Sequence, residues 1–299
     1  MDSVSATEPA SPIDVARMAD THLSVVVPFY DAERHLEACI SALLGQTYPR
    51  SRYELIMVDN NSRDASAQIV GRYPDIRLLH EPQQGAYSAR NRGLSEARGE
   101  IVAFTDPDCV PAADWLERLV DCMQDDEVGV AIGGYRLPEA SPALALLIAF
   151  ENAKEQVVFE SEDALRYYGH TNNMAVKRRL FEDLGPFVER ERGADALFVR
   201  RVVERRTCGA VRYCPEARVL HLEVDSVTAF FRKRFVHGRS ARSLQAQISI
   251  APLSVRQRMA LVARTTHGQR WAWGKRVLLG ACAAGSALSW QLGKVRIPW

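Results

Sequence analysis

At 299 residues, 47% of them hydrophobic and 25% charged, the chain can bury one large core or two modest ones, and its composition excludes a disordered or fibrous protein. Six cysteines, Cys39, Cys109, Cys122, Cys208, Cys214 and Cys282, lie far apart with no C-x-x-C pair, so neither a disulfide nor a zinc framework is expected and a reducing cytoplasm fits best. The net charge of +1 conceals an asymmetry: residues 226–299 hold thirteen Lys and Arg and no acidic residue, against 25 basic and 37 acidic residues in 1–225. Such a tail seeks phosphate, on a lipid, a lipid-linked group or a nucleic acid, or it balances the acidic face of its own chain.

Residues 1–22 are polar, carry Pro9 and Pro12, and read as a flexible leader with no secretory signal. Leu23 to Phe29 follows as a buried strand, and Ala32 to Leu44 as a helix with Leu36, Ile40, Leu43 and Leu44 on one face. Tyr53 to Val58 is the next strand, Asp64 can cap a helix reaching Tyr73, and Ile76 to Leu79 is a third strand. Ala86 to Ala97 forms a helix that Gly99 stops, and Ile101 to Phe104 is a fourth strand that runs straight into Thr105-Asp106-Pro107-Asp108. Alternating strands and helices predict a mainly parallel sheet, and the C-terminal edge of such a sheet is where ligands bind. Beyond it, Val128 to Ile132, Met174 to Val176, Val211 to Tyr213 and Arg218 to Leu222 read as strands. Helices are expected from Ser141-Pro142 toward Phe159 and from Ala194 to Arg206.

The first strand-to-helix turn, V-P-F-Y-D-A-E, lacks G-x-G-x-x-G, and no G-x-x-x-x-G-K-[ST] occurs, which disfavours a Rossmann dehydrogenase and a P-loop. Asp106-Pro107-Asp108 suits an ordinary turn. It also suits a hard divalent cation, because two carboxylates one residue apart at a strand end can share the ion and leave positions open for diphosphate oxygens.

Five stretches in order, L-S-V-V-V-P-F-Y-D (23–31), L-L-G-Q-T-Y-P (43–49), L-I-M-V-D-N-N-S-R-D (55–64), G-A-Y-S-A-R-N-R-G (85–93) and A-R-G-E-I-V-A-F-T-D-P-D (97–108), resemble the successive motifs of family 2 glycosyltransferases. The resemblance covers roughly residues 23–240 and implies an α/β fold of the GT-A type, a mainly parallel mixed sheet flanked by helices, with a basic helical C-terminal tail. It implies a catalytic domain at 23–225, with a nucleotide-binding half at 23–110 and an acceptor half at 111–225, followed by the basic region 226–299. By the same resemblance Pro28, Phe29, Tyr30 and Glu33 line the nucleoside pocket, together with Asp59 and Asn61, and Asp59 accepts from the base. Arg90 lies beside the base or the diphosphate, Asp106 holds the ribose or the metal, and Asp108 ligates Mn2+ or Mg2+ directly. Asp195 matches the catalytic base, although the position before it is Ala194 where the family often has an acidic residue. An aspartate there is also an ordinary helix-terminal residue. Thr171, Asn172 and Asn173 resemble the region against donor sugar and acceptor, and His221 resembles a histidine that completes the metal shell. Arg232, Arg234 and Arg239 resemble a basic segment that holds diphosphate or a lipid phosphate.

The expected activity is inverting transfer of a sugar from a nucleotide-diphosphate donor to a saccharide or lipid-linked acceptor, with no nucleic-acid partner. Two rivals are a nucleotidyltransferase, which would need a Gly-rich basic first loop, and an inactive nucleotide-sugar-binding scaffold. Val277 to Gly293 is free of charge but short of the roughly 20 apolar residues a spanning helix needs. Flanking Lys275, Arg276, Lys294 and Arg296, with Trp271, Trp273, Trp290 and Trp299, favour peripheral attachment to an anionic surface on the inner face of the membrane over packing on the catalytic domain.

Overall fold

The computed structural model describes residues 21–136, 141–189 and 192–245, and beyond these residues 253, 256, 257, 260, 261, 280, 285, 288, 291 and 292. Most of the expected leader and most of the 277–293 stretch therefore lie outside the described residues. Strands β1 (Leu23–Phe29), β2 (Tyr53–Asp59), β3 (Ile76–His80) and β4 (Ile101–Thr105) alternate with helices α1 (Glu33–Leu44), α2 (Ser66–Gly71) and α3 (Ala86–Glu96). The second half adds β5 (Cys109–Pro111), α4 (Trp115–Cys122), β6 (Val130–Tyr135), α5 (Pro142–Phe159), β7 (Asn173–Lys177), α6 (Arg179–Leu184), α7 (Ala194–Arg205), β8 (Val211–His221) and α8 (Val227–Gln245). The eight strands form one sheet in the order β3-β2-β1-β4-β7-β6-β8-β5.

β1, β2 and β4 read as largely apolar runs, broken only by Ser24, Glu54 and their ends, because both of their faces are covered. On one face Val25, Val27, Leu55, Met57 and Ala103 pack under Leu36, Ile40 and Leu43 of α1 and Trp115, Leu116 and Leu119 of α4. On the other, Val26, Ile56, Val58, Val102 and Phe104 meet Tyr87 and Ala89 of α3, Phe181 of α6 and Phe198 of α7. α3 lies so close to β1 that a Cβ on Gly93 would stand 2.4 Å from Val26 Cγ1. Local chemistry sets the helix ends as the sequence suggests: the Ser141 hydroxyl accepts from Leu144 N at 3.3 Å, with Pro142 in the first turn. At α2 the outcome differs: Ala65, not Asp64, is the capping residue, the helix ends at Gly71 short of Tyr73, and Asp64 Oδ1 accepts from Ser66 N at 2.9 Å in the turn before it.

Three further features differ from the sequence reading. The two strands expected at 211–213 and 218–222 are one strand, β8, whose pairing with β6 is irregular between Gly133 and Gly134. β5, α4 and α6 went unread, the first because it has three residues and the last because it has six, too few to show a helical period. Cys122, at the end of α4, is joined to Cys214 of β8 across 92 residues with Cα atoms 6.2 Å apart. Wide sequence spacing gave no hint of that bond because the strand order brings the two positions together.

Where β7 and β6 meet, the fully buried Asn173 ties three parts of the fold. Its Oδ1 accepts from Trp115 Nε1 at 2.8 Å, and its Nδ2 donates to Gly134 O and Ala217 O, each at 2.8 Å. Asn173→Ala strands a buried indole N–H and two buried carbonyls, so it should lower stability by about 2–4 kcal/mol. Urea denaturation monitored by circular dichroism measures this. A loss under about 1 kcal/mol would mean the three groups find other partners.

Candidate active site

Four strand ends deliver the chemistry to one place. β1 and β4 are parallel, with Val26 opposite Phe104, so the turn after β1 and the turn after β4 open side by side. β5 pairs antiparallel with β8, placing Cys109 opposite His221 and bringing the imidazole beside Asp108. β4 pairs antiparallel with β7, placing Thr105 opposite Asn173. That register brings residues 170–172, which precede β7, to the same edge.

A cavity of about 490 Å³ opens there, lined by Pro28, Phe29, Tyr30, Arg90, Asp106 and Asp108 among the residues singled out from sequence. Tyr30 is 45% exposed, which leaves a ring face free, whereas Phe29 is almost wholly buried. Arg90 Nη2 donates to Asp106 Oδ1 at 2.5 Å, and its guanidinium lies over the Tyr87 ring at 5.1 Å. Burial opposes the Arg90 charge, but Asp106, Tyr87 and Asp195 outweigh it and raise its pKa. Asp108 is pushed up by burial and then by the neighbouring Asp106 charge.

His221 holds the opposite wall. Its Nε2 contacts Lys233 Nζ of α8, and its Nδ1 lies 3.4 Å from Asp108 Oδ2. Burial first, then the Lys233 ammonium, lower its pKa to about 4, so the ring is neutral at pH 7. Nδ1 is buried with no hydrogen-bond partner. Ligand atoms of Asp108, Cys109 and His221 lie within 4.8 Å of one another. A neutral imidazole with an unused nitrogen beside a carboxylate fits a divalent cation. Cys109 has its thiol pKa raised by burial and by the Asp108 and Asp106 charges, and stays protonated.

Asp195 sits in the first turn of α7, where Gly193 and not Asp195 occupies the capping position. Its Oδ2 accepts from Thr171 N at 3.2 Å and its Oδ1 from Ala196 N at 2.8 Å. Asn172 is held from both ends: its carbonyl accepts from Thr105 Oγ1 at 2.9 Å and its side-chain oxygen from Tyr135 Oη at 3.1 Å. Asn173 is committed to the sheet as described above.

Three residues expected in the nucleoside pocket do not line the cavity. Glu33 turns away, its Oε2 accepting from Ala65 N at 3.1 Å. Asp59 Oδ1 accepts from Ser62 N at 3.0 Å and its Oδ2 lies 3.6 Å from His80 Nδ1. Asn61, with a positive φ of 68°, donates to Pro82 O at 3.0 Å. Its neighbour Asn60 does line the cavity, and its side-chain oxygen accepts from Gly85 N at 2.7 Å. Arg34, His35, Gln84 and Glu223 also line it and went unread. For Arg34 and His35 a signal was present, since they occupy the first turn of a helix that follows a strand at the ligand-binding edge. Arg232 and Arg239 are exposed on α8, whereas Arg234 turns inward with Nη1 3.5 Å from Glu151 Oε2.

The family model of glycosyl transferase family 2 matches residues 24–185. Glycosyltransferase AglE of Haloferax volcanii is 34% identical over 172 residues, covering 55% of each chain. UDP-Glc:alpha-D-GlcNAc-diphosphoundecaprenol beta-1,3-glucosyltransferase WfgD of Escherichia coli is 34% identical over 123 residues, covering 40% of this chain and 48% of that protein. The match thus spans about half the length of these curated relatives. Among solved structures, mannosyltransferase PcManGT from Pyrobaculum calidifontis, in complex with GDP-Man and Mn2+, superposes with a TM-score of 0.59 at 23% identity, covering 90% of this chain and 78% of that one. Glucosyl-3-phosphoglycerate synthase from Mycobacterium tuberculosis, in complex with Mn2+, UDP-Glc and phosphoglyceric acid, has a TM-score of 0.52 at 20% identity, covering 71% and 76%. These likenesses establish the GT-A fold.

Arg90→Ala would remove the buried partner of Asp106 and the cation over Tyr87. A loss of about 2–4 kcal/mol is expected, below the range for a fully buried pair because the Asp106 side chain is 29% exposed. Arg90→Lys should recover less than half, since an ammonium lacks the planar fork. Chemical denaturation of both variants measures the difference.

Proposed function

Because the chain belongs to glycosyl transferase family 2, whose family model matches residues 24–185, we propose that it transfers a sugar from a nucleotide-diphosphate donor to an acceptor hydroxyl by one inverting displacement. The observation that carries this reading is the convergence at one sheet edge of Asp106 paired with Arg90, Asp108 beside His221, and the Asp195 carboxylate held by the Thr171 amide. That convergence suits a donor phosphate site beside a base. Asp108 and His221 would hold Mn2+ or Mg2+, with Asp106 beside them, and the bound ion would supply charge neutralisation for the leaving diphosphate.

The protein's own groups would do the rest. The cavity takes the nucleoside, with the exposed ring of Tyr30 free to stack on the base. Arg90 fixes the orientation of Asp106. Asp195, oriented by the Thr171 and Ala196 amides at a helix N-terminus, takes the proton of the acceptor hydroxyl as that oxygen attacks the anomeric carbon.

The complexes of the structural neighbours with GDP-Man and UDP-Glc support a nucleotide-sugar donor. A lipid-linked saccharide acceptor, with peripheral attachment to the inner membrane face, is supported by the diphosphoundecaprenol in the name of one relative and by the basic tail. Among the described residues no helix is long and apolar enough to cross a membrane. The nucleotidyltransferase reading loses ground because V-P-F-Y-D-A-E offers no Gly-rich basic grip for a triphosphate. Release of nucleoside diphosphate from a panel of nucleotide sugars with Mn2+ separates the enzyme from an inactive scaffold.

Asp195→Asn should cut turnover at least about 10²-fold while donor affinity by calorimetry stays within about twofold, since the base acts on the acceptor. Wild-type turnover would sink the assignment. In Asp108→Ala, Mn2+-dependent binding of nucleoside diphosphate should weaken by about tenfold or more, because a carboxylate ligand is gone. An unchanged Mn2+ dependence would remove Asp108 from the metal shell.

A further inference from the structure

Helix α5 carries two glutamates that its packing does not explain. Glu151 and Glu155 lie one turn apart, 8% and 3% exposed, on a helix whose other inward residues include Leu144, Leu147 and Phe159. Burying a carboxylate costs several kcal/mol unless every oxygen is satisfied, so a purely structural role would call for full pairing. Pairing is incomplete. Lys154 contacts both glutamates and Tyr168 Oη donates to Glu155 Oε1 at 2.6 Å, yet Glu155 Oε2 has no hydrogen bond. Facing that oxygen at 3.7 Å is His170 Nε2, and both ring nitrogens of His170 are likewise buried without a hydrogen-bond partner. The imidazole lies between aromatic neighbours, tilted against Tyr135 with centroids 5.7 Å apart and edge-on to Tyr168 with centroids 6.4 Å apart. The next peptide along the chain carries the Thr171 N–H that grips Asp195 Oδ2.

We propose that Glu155 and His170 are positioning residues for Asp195: the carboxylate anchors the imidazole, the imidazole anchors the 170–171 peptide, and that peptide aims the base at the acceptor. The inference rests on the reading of Asp195 as the base. It accounts for buried carboxylates that packing alone would have replaced with leucine. Burial opposes a charge on His170, but the Glu155 carboxylate and then Asp195 outweigh it, and the ring titrates above its ordinary value. Glu155 itself is held down to about 2, burial being outweighed by Lys154 and His170. The charged and titratable groups around the ring are Glu155, Glu151 and Lys154 of α5, Asp195 of α7, Tyr135 of β6, Tyr168 of its own loop, and Arg234 of α8 on Glu151. Since the raised pKa favours imidazolium, the clamp is charged below that pKa and weakens as pH rises through it. Turnover should therefore fall on the alkaline side.

The test uses the full chain with Mn2+ and either GDP-mannose or UDP-glucose, reading nucleoside diphosphate released to water across about pH 6 to 10. His170→Asn should lower kcat about 10- to 100-fold near neutral pH, leave calorimetric donor affinity unchanged and abolish the alkaline fall. Glu155→Gln should move that fall to lower pH. Wild-type turnover with the fall intact in either variant overturns the proposal, as does a loss of turnover that matches a loss of folded protein with the fall unmoved. An independent measurement spares these residues: the His170 titration followed by NMR should shift to lower pH in Asp195→Asn, and an unchanged titration overturns the proposal too. A dead Asp195→Asn beside a fully active His170→Asn would sink this inference alone, whereas an active Asp195→Asn would sink the base assignment first.

Discussion

The antiparallel pairing of β7 against β4, with Asn173 opposite Thr105, is the constraint on which the site depends. A wholly parallel sheet would leave the chain before β7 at the far edge from Asp106. Reversing one strand brings the turn before β7 to the edge where the turn after β4 ends, so residues 170–172 meet residues 106–108 without any long loop. A slip of one residue would turn Asn173 out of the core, strand the Trp115 indole and displace the Thr171 amide from Asp195 at once. Asn173 thus fixes the register by polar pairing, where an apolar residue would have tolerated neighbouring alignments.

A second requirement follows from the number of carboxylates collected at that edge. Asp106 is satisfied by Arg90, Asp108 faces a neutral His221, and Glu151 and Glu155 face Lys154, Arg234 and His170. Each cation is assigned, but the assignments differ in completeness. Arg90 with Asp106 is a close charge-assisted hydrogen bond. Asp108 has no strong cation in direct contact, and its pKa is correspondingly raised by burial and by Asp106. A carboxylate left short of positive charge next to an unused imidazole nitrogen is the electrostatic signature of a place where charge is to be brought in by a ligand.

The first half of the fold was the more legible, because buried parallel strands produce largely apolar runs and the helices between them show a 3.6 period. In the second half the signal weakened where strands became short or irregular. β5 has too few residues to show a period, and β8 carries Pro215 and a pairing irregularity that split its pattern into two apparent strands. Asp106 and Asp108, in the turn after β4, line the cavity, whereas Asp59, at the end of β2, Asn61 and Glu33 do not, their side chains being held by Ser62 N, Pro82 O and Ala65 N. Asn60 and Asn61 show the limit: Asn60 lines the cavity, tied to Glu81 O, Gln83 O and Gly85 N, while Asn61, with its positive φ, does not, and neither feature is visible in the sequence. The pairing of Cys122 with Cys214 is illegible for a related reason, since it depends on strand order and not on spacing.

The basic tail, read from sequence as a unit seeking phosphate, divides its charge at its first helix. Lys233 and Arg234 are consecutive on α8, yet one reaches His221 and the other reaches Glu151 of α5. They can do so because Phe230 anchors α8 in an apolar cluster with Leu144, Leu147 and Ile148 of α5, fixing the rotation of the helix. An expected domain limit at residue 225 therefore falls between His221 and the helix that neutralises its surroundings. Cutting there would leave Glu151 short of Arg234, which holds its carboxyl below the ordinary value against the opposing effect of burial. Two cations of the tail are thus committed inward while Arg232 and Arg239 of the same helix remain exposed. The helix thus joins His221 of β8 to Glu151 of α5 through inward cations and carries exposed positive charge elsewhere on its surface.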